Sequence, residues 1–218
     1  MTWDQLEPLL WTALGETLQM VLTAMVVGGF FGLLLGIGLY VARPGNLLQS
    51  RALFVVINVL INLVRPIPFI IFLAALGPLT RIVVGTTIGT PAVTFAMCVM
   101  TSFVFARIVE QNLVSLDPGM IEAARAMGAS PWRIIVTVLV PEALAPLILG
   151  FTFLFIGVLD MSAVAGYVGG GGLGDLAIVY GYQQYNWVVT YVVVLVIVVL
   201  AQLAQLLGNL LARKALHR

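Results

Sequence analysis

Asp117 to Pro141, DPGMIEAARAMGASPWRIIVTVLVP, is the longest run of this chain that is neither lipid-soluble nor loop-like. Asp117 stands where an N-cap would, with Pro118 at the first helical position, and Gly128 falls where a helix would close. Ser130 and Pro131 repeat the start signal at once, so the stretch reads as two short helices meeting at Gly128. On the first, Met120, Ala123, Ala124 and Met127 recur at helical spacing as one narrow apolar face. Alanines there allow another surface to come close to the backbone. An ordinary amphipathic loop helix between two membrane spans reads the same way, so the flanking sequence has to decide.

The flanks are membrane. Of 218 residues, 61% are hydrophobic and 9% charged, against roughly 25% charged in a soluble domain. The charges cluster between long apolar runs, as in a polytopic membrane protein. The reading is therefore all-α, a single transmembrane domain over 1–218, with five spans at about 17–40, 52–76, 86–106, 143–159 and 188–211. The first Lys or Arg is Arg43, so a basic signal-peptide region is absent and the first span is expected to be retained. Within it, Gly28, Gly32 and Gly36 fall on one helix face and let a neighbouring helix approach, which we assign to packing inside one subunit rather than to a dimer contact. The second span is interrupted at Arg65-Pro66-Ile67-Pro68. A charge near mid-membrane costs about 2.5–3.5 kcal/mol on insertion scales, so Arg65 should face protein or water, and the prolines free carbonyls that need internal partners. Such a break suits a transport pathway, but Arg65 could equally cap those carbonyls or pair with a carboxylate.

The fourth span ends near Asp160 and is followed by Ser162 to Val168, then by Gly169, Gly170, Gly171, Gly172 and Gly174. Tyr180, Tyr182, Tyr185 and Trp187 form a cluster suited to the membrane interface before the last span, which ends at Arg213, Lys214, His217 and Arg218. With the N-terminus outside, eight of the ten basic residues face inward. The positive-inside rule thus predicts N-terminus out, C-terminus in, and a cytoplasmic loop over 107–142.

Little chemistry is available to the chain alone. Gly169-x-Gly171-x-x-Gly174 has the letters of a dinucleotide fingerprint but follows a membrane helix and opens no βαβ unit, so it is read as an irregular turn or broken helix. Lys214 is the only lysine and no phosphate-binding loop exists; His217 is the only histidine and Cys98 the only cysteine, so no metal site or catalytic residue is assigned. Glu122 and Glu142 flank basic residues and are read as ion-pair or contact residues rather than general acids. Any ATP must be hydrolysed on another subunit.

Glu122-Ala123-Ala124, three residues, Gly128, nine residues, then Val138-Leu139-Val140-Pro141 resembles the EAA loop of bacterial ABC-importer permeases, with Val138 and Val140 as apolar replacements. The resemblance implies a type I ABC importer permease fold, and a coupling helix that docks on an ATPase through Glu122, Ala123, Ala124, Met127, Gly128 and Pro141. It extends along the chain. Arg65-Pro66-Ile67-Pro68-Phe69-Ile70 is similar to the R-S-I-P-F-I run of methionine permeases, with Pro66 in place of Ser, and Gly169 to Ala177 followed by Tyr180-Gly181-Tyr182 is similar to their glycine segment. Val164 stands where those permeases often carry a gate Met, and Asp160 and Met161 also depart from the family pattern. The resemblance further implies a homodimeric inner-membrane permease for methionine whose pathway and gate involve Val164, Arg65, Pro68 and Ser162. Its partners would be ABC ATPase subunits carrying ATP and Mg, a substrate-binding lipoprotein outside, and lipid, but no nucleic acid. An importer for another small solute remains open. An ion-coupled secondary transporter would ordinarily need an intramembrane carboxylate or a second inverted repeat, and neither is found.

Overall fold

A computed structural model describes residues 3–216, and among them every regular element is helical. Four helices are long and apolar enough to cross a membrane: Trp3–Val41, Thr90–Val114, Leu144–Val168 and Trp187–Ala215. A fifth crossing is available from a bent pair, Arg51–Val64 and Phe69–Ala75. A short helix, Gly77–Val84, leads from the bent pair to Thr90–Val114, which is the third long helix, and Leu144–Val168 the fourth, when the bent pair is counted as the second.

The first helix lies along the third, and glycine is the reason it can. A β-carbon at Gly28 would meet the Cys98 carbonyl and the Thr101 side chain, both at 2.7 Å. At Gly32 it would meet the Ser102 carbonyl at 2.8 Å, and at Gly36 the Ala106 carbonyl at 2.6 Å. The partner numbers rise with the glycine numbers, so the two helices run parallel. The stripe packs inside one chain, as its spacing predicts. The fourth helix runs antiparallel to the third, with Gly150 against Ile108 and the Pro146 carbonyl near Asn112. The last is antiparallel to the fourth, through Gly208 against Thr152.

Several elements differ from the sequence expectation. The helix that carries the 17–40 run is already formed at Trp3, the first described residue, because Asp4, Glu7 and Glu16 mark polar surroundings without interrupting backbone hydrogen bonds. The second span is not straight: its direction bends by 112° across the Pro66–Pro68 elbow, since two prolines remove two donors and the ring of each blocks a helical turn. The third long helix starts at Thr90 rather than 86, because Gly89 is left-handed at φ 84 and Pro91 pre-sets the first turn, and it runs on to Val114. Residues 107–114 therefore belong to that helix and not to a loop. Asp160 is no terminus either. The fourth helix continues to Ala165 and, as one tighter turn, to Val168, which places Ser162 and Val164 inside it.

Candidate functional site

The Asp117–Pro141 stretch folds as its caps dictate. The Asp117 carboxylate accepts from the Gly119 N–H at 2.9 Å and opens the helix Pro118–Ala126. Gly128 closes it at φ 78, with its N–H donating to the Arg125 carbonyl at 2.9 Å and the Ala129 N–H to the Ala124 carbonyl at 3.1 Å. That pair of bonds is the Schellman closure, and the left-handed residue it needs is cheapest as glycine. Ser130 then accepts from the Arg133 N–H at 3.4 Å and opens the next helix at Pro131, which continues through a wider π turn at Ile135–Leu139 to Glu142. The handle's backbone is thus satisfied locally.

Its side chains split between two surroundings. Ile121, Ala124, Ile134 and Ile135 are buried, in one hydrophobic cluster with Tyr40 of the first helix and Leu113 of the third. Ala123, Glu122 and Gly128 face outward, and Met127 and Trp132 are 81% and 72% exposed. The expected apolar face is corrected accordingly. Met120 is half-buried and Ala124 is turned inward, while Ala123 and Met127 look away from the bundle, because Ile121, not Met120, anchors the helix. Trp132 was missed by the sequence reading, although a bulky apolar residue directly after Ser130-Pro131 is a visible signal of an outward anchor. Pro141 is exposed at the root of the fourth helix.

Behind the handle lies an ion cluster that sequence reasoning did not find. Glu110 is 6% exposed and both its carboxylate oxygens are engaged, one by Arg43 Nη1 at 3.1 Å and the other by Arg107 Nη1 at 3.0 Å. Arg107 Nη2 also donates to Asn58 Oδ1 at 2.9 Å and Asn62 Oδ1 at 2.5 Å. The cluster joins the ends of the first and third long helices to the bent arm. A buried charge with every oxygen paired avoids the penalty of several kcal/mol that an unpaired one would carry. The one local clue was Arg107 and Glu110 at helical spacing.

Arg65 and Pro68 sit at the elbow, both exposed. The Arg65 guanidinium makes no ion pair among the described residues, so neither of the structural roles considered for it, carbonyl cap or carboxylate partner, is seen. It borders a cavity of about 440 Å³ between the elbow, the third helix and the fourth. Ser162 is buried and its hydroxyl donates back to the Leu159 carbonyl at 2.7 Å, while Val164 is half-buried. The structure does not bring these residues together. Phe153, which lines the Arg65 cavity, and Val164 lie eleven positions apart on one helix, about 16 Å at the helical rise.

The glycine segment is tied to the first helix. The Gly172 N–H donates to Glu16 Oε2 at 2.6 Å and the Leu173 N–H to Thr17 Oγ1 at 2.8 Å, so the helix over 172–182 takes its caps from residues 156 positions away. Gly169, Gly171 and Gly172 all have positive φ, and Gly170 is buried with its carbonyl accepting from the Thr90 hydroxyl at 2.9 Å. A β-carbon at Gly174 would strike the Ala163 carbonyl. This is an irregular turn opening a short helix, with the Gly170, Gly172 and Leu173 N–H groups already occupied by protein.

Residues 32–217 match the family model described as binding-protein-dependent transport system inner membrane component. The chain is 39% identical to a probable D-methionine transport system permease protein, MetI, of Vibrio cholerae serotype O1, over 96% of this chain and 93% of that one. To the methionine import system permease protein MetP of Bacillus subtilis it is 39% identical, covering 93% and 91% of the two chains. A solved chain from the MetNI methionine ABC transporter, described in inward-facing conformations, superposes with a TM-score of 0.94 at 39% identity, covering 99% of each.

Proposed function

The chain belongs to the family of binding-protein-dependent transport inner membrane components, and from that membership we propose that it is the permease of a methionine ABC importer in a bacterial inner membrane. It is a transporter subunit and not itself a catalyst. Two copies form one path, and each offers its Asp117–Pro141 handle to an ATPase subunit that binds ATP and Mg. A substrate-binding lipoprotein delivers methionine at the Gly169–Gly174 end. The basic residues support an arrangement in which the handle faces the cytoplasm and the N-terminus lies outside. The chain acts as one permease domain, with the gate near Val164 and the pathway passing Arg65 and Pro68.

The observation that carries the proposal is the two-sided handle. Ile121, Ala124 and Ile134 bind it to the bundle, while Glu122, Ala123, Met127, Gly128 and Trp132 stand out of it. Force applied to the outward side reaches the first and third long helices through the buried side; Glu110 joins those helices, and Arg107 joins them to Asn58 and Asn62 of the bent arm. ATPase closure then rocks the spans between inward- and outward-open states.

Gly128→Trp tests the docking role. Open space surrounds this position, so a large side chain meets no atom of its own chain, although φ 78 adds strain of about 1–2 kcal/mol. The expected result is an intact permease whose labelled-methionine uptake drops at least tenfold, because the tryptophan intrudes on the ATPase. Gly128→Ala separates strain from intrusion and should retain most uptake. Wild-type uptake and ATPase copurification in Gly128→Trp would remove the docking role.

A further inference from the structure

We infer that the cavity behind the elbow is a carboxylate subsite on the transport path, in which Arg65 receives the carboxylate of an apolar amino acid. The inference rests on the methionine-importer reading and adds to it a place on this chain where the solute is held.

The cavity, about 440 Å³, has room for one amino acid. Two guanidiniums border it, and they differ in what they already hold. Arg107 is committed to Glu110, Asn58 and Asn62. Arg65 holds nothing among the described residues, and neither Asp nor Glu lines the cavity. The elbow follows Arg51–Val64 and shares its cavity with Gln111, Asn112 and Pro146, near the ends of the helices Thr90–Val114 and Leu144–Ala165. Arg65 is exposed where it borders the cavity, so its guanidinium is open to an anion that enters. A guanidinium fork matches a carboxylate in two parallel hydrogen bonds. Only one charge is uncommitted, and no lysine is near, so a monoanion fits better than a phosphate.

The remaining lining suits the rest of an amino acid. Asn112 uses its amide nitrogen on the Pro146 carbonyl, at 3.4 Å, which leaves its amide oxygen free to accept from an ammonium. Gln111 offers a second amide, and Phe153, Val104 and Ile108 form an apolar wall for the side chain. A few polar groups on an apolar wall, beside a broken membrane helix, is the pattern by which transporters orient small solutes.

The test uses the permease assembled with its ATPase in proteoliposomes. The probe is a diazirine analogue of methionine, compared with the corresponding amine that lacks the carboxylate. Crosslinks are mapped by mass spectrometry to 104–112 and 146–153 of this chain, which separates them from any methionine held by a partner subunit. The carboxylate probe should label these segments, excess methionine should protect them, and the amine should fail. Arg65→Gln should lower labelling at least tenfold, with Arg65→Lys between. Equal labelling by the amine, or full labelling of Arg65→Gln, overturns the subsite. If Arg65→Gln does not assemble, Arg65→Lys and the wild-type probe comparison decide. Labelled-methionine uptake is read on the same preparation. Wild-type uptake without labelling of the cavity removes the subsite and leaves the importer; no wild-type uptake removes both.

Discussion

Two glycine-rich regions of this chain use the residue for opposite reasons. In the first helix, Gly28, Gly32 and Gly36 have ordinary helical backbone, and what matters is the missing side chain, since three β-carbons would lie 2.5–2.8 Å from atoms of the third helix. In the Gly169–Gly174 turn the backbone itself matters. Gly169, Gly171 and Gly172 lie at φ 67, 75 and 81, and the N–H groups they aim are received by Glu16 and Thr17. One region is a close contact between two helices that any added atom forces apart. The other is a polar clasp whose failure frees one short helix. Damage therefore spreads through the bundle from the first and stays local in the second.

The most severe test of this contrast is Gly36→Leu. A β-carbon there already meets the Val109 β-carbon at 2.5 Å and the Ala106 carbonyl at 2.6 Å, and backbone cannot be moved aside by a rotamer change. Overpacking costs about 1–3 kcal/mol in adaptable cores and more where two backbones are in contact. The expected outcome is loss of folded permease from the membrane fraction, read by detergent extraction and size-exclusion chromatography. Normal recovery would mean that the helices separate cheaply, and the stripe would no longer differ in kind from the turn.

Glu16→Ala should do less. It removes a charge-assisted bond of 2.6 Å to the Gly172 N–H but leaves Thr17 on the Leu173 N–H. Losing a helix cap costs about 0.5–2 kcal/mol, so the protein should fold and extract normally. Amide hydrogen exchange should rise over 172–182 and stay unchanged over 28–36. Equal deprotection of both regions would show that the clasp supports the whole bundle.

Legibility in the sequence divides along the same line. The caps at Asp117 and Ser130, the left-handed Gly128 and the glycine stripe were all legible, because each is a local rule with a fixed spacing. The clasp was not, since Glu16 and Gly172 are 156 positions apart and neither carries a pattern that names the other. Nor was Glu110, whose two arginine partners come together only when the first and third helices align. Asp160 misled for a different reason. A carboxylate tells where water is reachable, whereas a helix ends where its backbone bonds end, and here those places are several residues apart. The same distinction explains why the first helix already contains Asp4, Glu7 and Glu16. Which alanine of Ala123-Ala124 turns inward depended on Ile121 finding the bundle, a tertiary fact that spacing alone leaves open by one residue.

The finest test of the clasp is its charge. Asp175 lies in the short helix outside the candidate spans, and its carboxyl is held above the ordinary value, first by burial and then by the Glu16 charge. A carboxyl raised in the folded state favours folding while it is protonated, and that contribution is lost as pH rises through the window between its unfolded and folded values. Above the window, wild type carries the repulsion and Asp175→Asn does not. The thermal midpoint of the assembled complex should therefore be higher for Asp175→Asn than for wild type at neutral pH. The gap should close as the pH falls to the ordinary carboxylate value. In a Glu16→Gln background the second cause is absent, so the neutral-pH gap should shrink without vanishing. A gap unchanged by Glu16→Gln would leave burial as its whole origin, and the clasp would then hold Gly172 without any cost to its acidic neighbour.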